Sequence, residues 1–181
     1  MQYWKRIEVD NWELIVQRTI DYIKKHTTLL DRSTYKGPFN SFNTAHYLAE
    51  VPEIVDSFKK YGLHYETANV YVMWSNDHSF PHKDYTDSIA RINLPILNCE
   101  GSSTVFYKDI QGKRMMLPTG APFYLTMDRK NVEQVDSVEI NQPTIIRVCE
   151  GHDVIMPENS PVPRITLTVS TAPDCGLLLD D

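Results

Sequence analysis

The sequence predicts a mainly β fold, a sandwich or barrel of short strands, with helices in the first third of the chain. From about residue 67, apolar and polar residues alternate with a period of two, in runs rich in Val, Ile, Thr, Tyr and Phe. Gly, Pro, Asn and Asp separate these runs, and no helical pattern lies between them. Closely spaced strands without intervening helices favour a sandwich or barrel over a parallel α/β sheet. The eight predicted strands are NVYVMWS, SIARINLPIL, STVFYK, RMMLP, PFYLTM, VEQVDSVEI, PTIIRVC and PRITLTVS.

A first helix is predicted over residues 11–26. Asp10 and Glu13 have the spacing of a capping box, and apolar residues then recur at helical spacing as far as Ile23. This spacing gives the helix one apolar stripe, which we expect to pack on the outside of one sheet.

A second helix is predicted over residues 52–61, beginning at Pro52 and ending before Gly62, and its apolar face should pack in the same way. The turn-rich segment DRSTYKGPFNSFNT between the two helices is expected to cross the surface.

The length of 181 residues suits a single domain with its own core. Within that domain, 1–181, we expect a helical part over 1–66, a strand-rich core over 67–171 and a loosely held tail over 172–181. The run of three leucines in this tail has no assigned role.

Composition excludes several classes of protein. The net charge of −6 gives no general attraction to nucleic acid or to anionic lipid, so neither is an expected partner. Three widely spaced cysteines argue against a disulfide framework and fit a reducing cytoplasm. Charges interrupt the first residues, MQYWKRIEVDNWELIV, every few positions, so we expect neither a signal peptide nor a membrane span.

Three side chains of metal-binding types and one arginine form the main candidate site: His82, Asp84, His152 and Arg164. Two histidines and one carboxylate form the facial triad that holds non-haem Fe(II) and leaves coordination positions open. An arginine placed shortly after the last ligand is suited to bind a carboxylate-bearing co-substrate through two parallel hydrogen bonds.

Two His-x-acid pairs compete for the first part of this motif, His82/Asp84 and His64/Glu66. In an extended chain, residues two apart point to the same side, so either pair could offer two ligands to one metal ion. The first pair lies between two strand-like runs, whereas His64 follows Gly62 in a linker without a comparable scaffold. We therefore favour His82 and Asp84.

The sequence around the third ligand is less specific. His152 follows the strand PTIIRVC, in what reads as a loop, and its position between the upstream pair and Arg164 favours a role as ligand. The remaining histidines, His26, His46 and His78, are interpreted as ordinary residues, although His78 is close enough in sequence to line the site.

Arg164 opens the last predicted strand, where alternation places it with Thr166 and Thr168 on one face and three aliphatic residues on the other. If that face lines the interior, the arginine needs an anionic partner, because an unpaired buried charge is costly. If the face lies in solvent, Arg164 is a surface charge. The same two readings apply to Arg91 and Asn93, which alternate with aliphatic residues in SIARINLPIL.

In this order of residues, His82-x-Asp84, His152, then Arg164-x-Thr166, the chain resembles the Fe(II)/2-oxoglutarate-dependent dioxygenase superfamily. The resemblance covers somewhat more than half of the chain. It implies a double-stranded β-helix, or jelly roll, buttressed by the N-terminal helices. It also implies Fe(II) on the three ligands, with 2-oxoglutarate and O2 as co-substrates and the 5-carboxylate of 2-oxoglutarate on Arg164 and Thr166.

The chain is most similar to the aspartyl/asparaginyl-hydroxylase-like and prolyl-hydroxylase-like branches. In these branches an arginine and a second polar residue soon after the first ligand help to hold the co-substrate, which implies this role for Arg91 and Asn93. Two features depart from the aspartyl-hydroxylase pattern: Asp84 is present where that branch often lacks a carboxylate, and Asn93 stands where histidine is usual. Asp84 favours hydroxylation, because a halogenase of this family needs that position vacated for a halide. The primary substrate is left open.

Two other functions remain compatible with the same residues. One is a jelly-roll binding module without catalysis, in which the three side chains do not converge. The other is a zinc-type hydrolase or isomerase that uses the same ligands and a metal-bound water. Arg164 favours the oxygenase over the hydrolase, which has no need of an arginine placed for a dicarboxylate. The cupin pattern of His-x-His followed by Glu is absent from the sequence.

Overall fold

The structure is a computed structural model that describes most of the chain. The described residues are 1–26, 39–41, 44–74, 80–84, 88–108, 110, 113–116, 122–125 and 129–180. His78 and parts of several connecting segments lie outside these ranges.

Two antiparallel sheets of six strands each form the described part of the fold, which confirms the mainly β prediction. Sheet I has the strand order β1-β10-β5-β12-β3-β2, and sheet II has the order β7-β8-β4-β11-β6-β9. The strands are β1 (Trp4–Arg6), β2 (Phe39–Ser41), β3 (His64–Met73), β4 (His82–Asp84), β5 (Ala90–Leu97), β6 (Ser103–Lys108), β7 (Lys113–Met116), β8 (Pro122–Leu125), β9 (Glu133–Glu139), β10 (Thr144–Arg147), β11 (Gly151–Ile155) and β12 (Arg164–Ala172).

The eight predicted strands correspond to β3, β5, β6, β7, β8, β9, β10 and β12. The four strands β1, β2, β4 and β11 were not predicted from the sequence. Three of these have only three residues, too few to show an alternating pattern. Strands β1 and β2 also lie before residue 67, so the sheets begin earlier in the chain than expected.

The first predicted helix is confirmed as α1 (Trp12–Lys25), but its predicted cap is wrong. Asn11 is the capping residue, with a left-handed backbone at φ 58° and no side-chain hydrogen bond to the helix. The carboxylate of Asp10 instead accepts a hydrogen bond of 3.0 Å from Lys60 Nζ, which ties the start of α1 to the segment that follows α2.

The second predicted helix is replaced by two short 3-10 turns, Pro52–Val55 and Lys59–Tyr61. The predicted end is correct, because Gly62 has φ 71°, a left-handed conformation that glycine adopts without strain. A helix that the sequence did not predict, α2 (Thr44–Glu50), precedes these turns.

The main apolar core lies between sheet I and the N-terminal segments, as the apolar stripes predicted. Side chains of α1 and of the 3-10 region pack in one cluster with the outer faces of β5 and β12. This cluster includes Ile15, Tyr22, Ile23, Ile54, Phe58, Ile92, Leu94, Ile165, Leu167 and Val169. The opposite face of β12 carries Arg164 and Thr166, so the polar face of this strand points towards sheet II.

The C-terminal segment is packed against sheet I, and the expectation of a loosely held tail is wrong. Residues Cys175–Leu179 form a 3-10 turn whose first and last side chains are buried in the main core. The carboxylate of Asp174 accepts hydrogen bonds from the backbone N–H groups of Ile89, Ala90 and Gly176. The C-terminal turn is therefore held against the start of β5 in sheet I.

No helix in the described part of the chain is long and apolar enough to cross a membrane.

Replacing Leu179 by alanine should destabilise the protein by about 2–5 kcal/mol, the usual cost of truncating a buried leucine. The side chain of Leu179 is only 2% exposed and belongs to the main core. The matched control is Leu177→Ala, because Leu177 lies in the same turn but is 56% exposed. That variant should change the free energy of unfolding by about 0.5 kcal/mol or less. Urea unfolding compares them, and equal small effects would mean that the C-terminal turn is not part of the core.

Candidate metal centre

The predicted ligands converge where β4 and β11 pair. His82 and Asp84 are two residues apart in β4, so their side chains lie on the same face of sheet II. His152 is directly opposite His82 in the antiparallel pairing of β11 with β4. One ligand atom from each residue lies within 4.8 Å of the other two. The group could therefore hold a metal ion.

Both histidine rings are oriented by their own backbone. Nδ1 of His82 lies 2.8 Å from the carbonyl oxygen of Phe80, and Nδ1 of His152 lies 2.9 Å from that of Glu150. A carbonyl oxygen only accepts, so each Nδ1 carries the hydrogen and each Nε2 presents a lone pair. This arrangement, in which the second ring nitrogen donates to a fixed acceptor, is usual for metal-binding histidines.

His82 and Asp84 lie too far apart for a direct hydrogen bond between their side chains. Nε2 of His82 is 3.8 Å from a carboxylate oxygen of Asp84, and the centroids of the two imidazole rings are 4.3 Å apart. The backbone N–H of Asp84 donates to the carbonyl oxygen of Val148 at 3.0 Å, which fixes this end of β4.

His152 lies in a strand, so its assignment to a loop was wrong. Only 6% of the residue is exposed, and this burial, together with the neighbouring His82, lowers its pKa to about 4. At neutral pH the ring is therefore uncharged, as a metal ligand must be. The preceding residue, Gly151, lies close to β6 and to Ile110 because it has no side chain. An added Cβ would lie 2.4 Å from Ile110 Cδ1 and 3.0 Å from the carbonyl oxygen of Tyr107.

A pocket between the sheets joins the three ligands to the inner face of sheet I. Its lining consists of Tyr71, His82, Asp84, Asn93, Ile146, Val148, His152, Val154, Arg164, Thr166 and Thr168. The two expected co-substrate residues on β12, Arg164 and Thr166, are therefore in the same pocket as the possible metal ligands. Tyr71 was not predicted. Thr168 was expected on the same face of the strand as Arg164 by alternation, but it was not named as a site residue.

Arg164 is buried within this pocket, with 1% of its surface exposed, so it is not a surface charge. Its Nε donates to Ser102 Oγ at 2.7 Å, and its Nη1 donates to Thr166 Oγ1 at 3.4 Å. Burial lowers the pKa of the guanidinium. Among the described residues, no carboxylate pairs with Arg164, and Nη2 has no hydrogen-bond partner.

The two residues on β5 have different surroundings. Asn93 lines the pocket, and its side-chain oxygen accepts a hydrogen bond of 2.8 Å from Thr168. Arg91 lies on the same face of β5, but it donates to Ser170 Oγ and is not among the residues that line the pocket.

The competing pair lies at the start of β3 and not in a linker, which corrects that part of the sequence argument. His64 and Glu66 are both exposed, and neither belongs to the group that could hold a metal ion. The histidines His46 and His26 also lie outside that group. His46 is exposed, and Nε2 of His26 lies 3.7 Å from the carboxylate of Glu50.

No model of a known protein family matches the chain, and no curated protein matches it. The structure is similar to that of L-ribose isomerase from Cellulomonas parahominis, with a TM-score of 0.36 at 13% identity, over 91% of this chain and 85% of that one. It is also similar to a protein named CytC3, with a TM-score of 0.37 at 12% identity, over 93% of this chain and 72% of that one. At TM-scores this low, neither likeness supports a conclusion about fold or activity.

The metal-free protein should lose stability as the pH falls from about 6.5 towards 4. An unfolded histidine titrates near 6.5, whereas the pKa of folded His152 is lowered to about 4. Between these values the unfolded chain binds a proton that the folded chain does not, so the free energy of unfolding decreases as the pH falls.

Urea unfolding in the presence of a chelator, at several values between about pH 4.5 and 7, measures this dependence. His152→Gln removes the titrating group and should make the dependence shallower. The same slope in the variant and the natural protein would show that His152 does not contribute to it.

Proposed function

We propose that the protein is an Fe(II)- and 2-oxoglutarate-dependent oxygenase, a hydroxylase of a substrate still to be identified. The observation that carries this proposal is the buried guanidinium of Arg164, which shares one pocket with His82, Asp84 and His152. Arg164 has no carboxylate partner among the described residues, and a buried cation in that state needs an anion from elsewhere. A dicarboxylate that reaches from the metal ion to Arg164 would supply this anion with one carboxylate and a ligand for the metal ion with the other.

We further propose that the two sheets form a double-stranded β-helix within a single domain. The order of the strands supports this: β3, β5, β10 and β12 lie in sheet I, whereas β4, β6, β9 and β11 lie in sheet II. From β3 onwards the described strands alternate between the sheets, except that β6, β7, β8 and β9 all lie in sheet II. In a sandwich wound in this way the space between the sheets becomes the ligand pocket.

The donor set fits Fe(II). Two neutral imidazoles and one carboxylate on one side of a metal ion leave the remaining coordination positions open, as in the facial triad of non-haem iron oxygenases. Asp84 supplies the only negative charge of this group and partly neutralises a divalent ion. When bound, Fe(II) would supply the oxidative chemistry with 2-oxoglutarate and O2 as co-substrates: 2-oxoglutarate would lose CO2 and take one oxygen atom to become succinate, and the other oxygen atom would convert a C–H bond of the substrate to C–OH.

The protein's own residues bind and orient the co-substrate. Arg164 holds its far carboxylate with the hydroxyl of Thr166 as a second donor, since both side chains point into the pocket from the inner face of β12. Ile146, Val148 and Val154 line the same pocket with aliphatic surface, which limits access of water to the metal ion.

A zinc-type hydrolase or isomerase could use the same three ligands, but it has no need of a buried arginine in the pocket. Arg164 therefore favours the oxygenase. The presence of Asp84 favours hydroxylation over halogenation, since its carboxylate fills the position that a halide would require.

Asp84→Ala should abolish the conversion of 2-oxoglutarate to succinate that occurs without primary substrate. The variant removes the one anionic ligand and so weakens the hold on Fe(II). Glu66→Ala is the matched control, because Glu66 belongs to the competing, exposed His-x-acid pair, and it should leave turnover nearly unchanged. Succinate formed under air with Fe(II) and ascorbate is the measured quantity. The opposite pattern would assign the metal to His64 and Glu66.

Arg164→Ala should weaken binding of 2-oxoglutarate by roughly thirty-fold to several thousand-fold, the effect of leaving a buried charge without its partner. Arg164→Lys should recover only part of the loss, because an ammonium group cannot make two parallel hydrogen bonds. Calorimetric titration of the Mn(II)-loaded protein measures the affinity, and the affinity for Mn(II) itself should hardly change. Equal 2-oxoglutarate affinity in Arg164→Ala and the natural protein would exclude this co-substrate and leave a metal-binding β protein.

A further inference from the structure

We propose that Ser102 is a positioning residue that fixes the guanidinium of Arg164 in the orientation that binds the far carboxylate of 2-oxoglutarate. This inference rests on the proposed function. It adds to the same site a residue that is not part of the sequence motif. Ser102 is fully buried in the turn between β5 and β6, 62 residues before Arg164 in the chain.

The hydroxyl of Ser102 has only one arrangement that satisfies its contacts. Its oxygen is 2.6 Å from the carbonyl oxygen of Cys99 and 2.7 Å from Nε of Arg164. A serine hydroxyl has a single hydrogen, and a carbonyl oxygen only accepts, so this hydrogen goes to Cys99. A lone pair of the hydroxyl therefore faces Nε of Arg164, which donates to it.

The turn that carries Ser102 is attached to β12 on both sides of Arg164. The side chain of Asn98 donates to the carbonyl oxygen of Pro163 at 2.9 Å, and Sγ of Cys99 donates to that of Ile165 at 3.1 Å. These contacts hold the turn against the backbone immediately before and immediately after Arg164. Ser102 is thus a fixed acceptor.

The orientation of the guanidinium follows from this contact. The group has five N–H donors in one plane, and Ser102 takes the one on Nε. Four donors remain on Nη1 and Nη2, of which only one makes a contact within the described residues, the long hydrogen bond to Thr166. The paired Nη edge, which matches a carboxylate in geometry, is therefore left for a ligand. Without Ser102, Nε would be a buried donor without an acceptor, and a turn of the group to satisfy it would misplace the Nη edge.

The effect of Ser102 can be separated from a general loss of structure by changing the ligand. 2-Oxobutanoate has the carboxylate and the 2-oxo group that chelate a metal ion, but it lacks the far carboxylate. A residue that acts through Arg164 should affect binding of 2-oxoglutarate and not of 2-oxobutanoate, whereas distortion of the whole pocket would weaken both.

The experiment is calorimetric titration of each ligand into Mn(II)-loaded protein. Ser102→Ala should weaken 2-oxoglutarate binding by about 10- to 100-fold, the effect expected for loss of a hydrogen bond to a charged group. Its affinity for 2-oxobutanoate should be unchanged. Ser102→Thr keeps the hydroxyl and should recover most of the 2-oxoglutarate affinity.

Ser57→Ala is the matched control. Ser57 is 1% exposed, and its hydroxyl contacts two backbone carbonyl oxygens, those of Asp10 and Glu53, away from the pocket. This variant should retain the natural affinity for both ligands.

Two results would overturn the inference: unchanged 2-oxoglutarate affinity in Ser102→Ala, or an equal loss of affinity for both ligands. Failure of the proposed function gives a different result, because the natural protein would then bind 2-oxoglutarate no more tightly than 2-oxobutanoate.

Discussion

Strand β12 is buried on both faces, and the two faces have opposite polarity. Its aliphatic residues, Ile165, Leu167 and Val169, join the core beneath the helices, while Arg164 and Thr166 lie between the sheets. A strand of this kind can be placed in only one way, because turning it over would put an arginine into the apolar core. The neighbouring strands β3 and β5 pair along most of β12, so its orientation also determines which of their side chains face sheet II.

The polar interior that results is costly for the protein alone. Arg164 is desolvated, and its described contacts are neutral hydroxyl groups. Hydroxyl groups reduce the cost of burying a cation but do not neutralise it. Such a pocket binds a small anion more strongly than a solvent-exposed arginine would, because the guanidinium is already desolvated and oriented before the ligand arrives.

The sequence was informative where residues act through regular spacing. Alternation along β5 and β12 predicted both their apolar faces and the faces that carry Asn93 and Arg164. The pairing of His82 with Asp84 followed from the two-residue repeat of an extended chain. The convergence of His152 with them was expected from residue types, although the strand that positions it was missed. That strand pairs with β6 over five residues, but it meets β4 through a single residue pair, His152 with His82, which only the folded chain reveals.

Other features could not be read from the sequence because they depend on contacts between distant residues. The spacing of Ile54 and Phe58 suggested an α-helix, but two 3-10 turns bury the same side chains. Ser102 lies in a turn without periodicity, and only the folded chain brings it to Arg164. The C-terminal residues were predicted to form a loosely held tail, yet Asp174 and the pairing of Asp180 with Arg147 hold them to the sheet.

Gly151 gives the candidate metal centre a requirement that does not involve any of its three side chains. An added Cβ at this position would lie 2.4 Å from Cδ1 of Ile110 and 3.0 Å from the carbonyl oxygen of Tyr107, so a larger residue would displace either the Ile110 side chain or β11 relative to β6. His152 is the next residue and would move with the strand, which would take its imidazole out of line with His82 and Asp84. If these three side chains hold a metal ion, random mutagenesis under selection for metal binding should find position 151 nearly as intolerant as the three residues themselves, and a Gly-His dipeptide is the pattern to seek in evolutionary searches for this site.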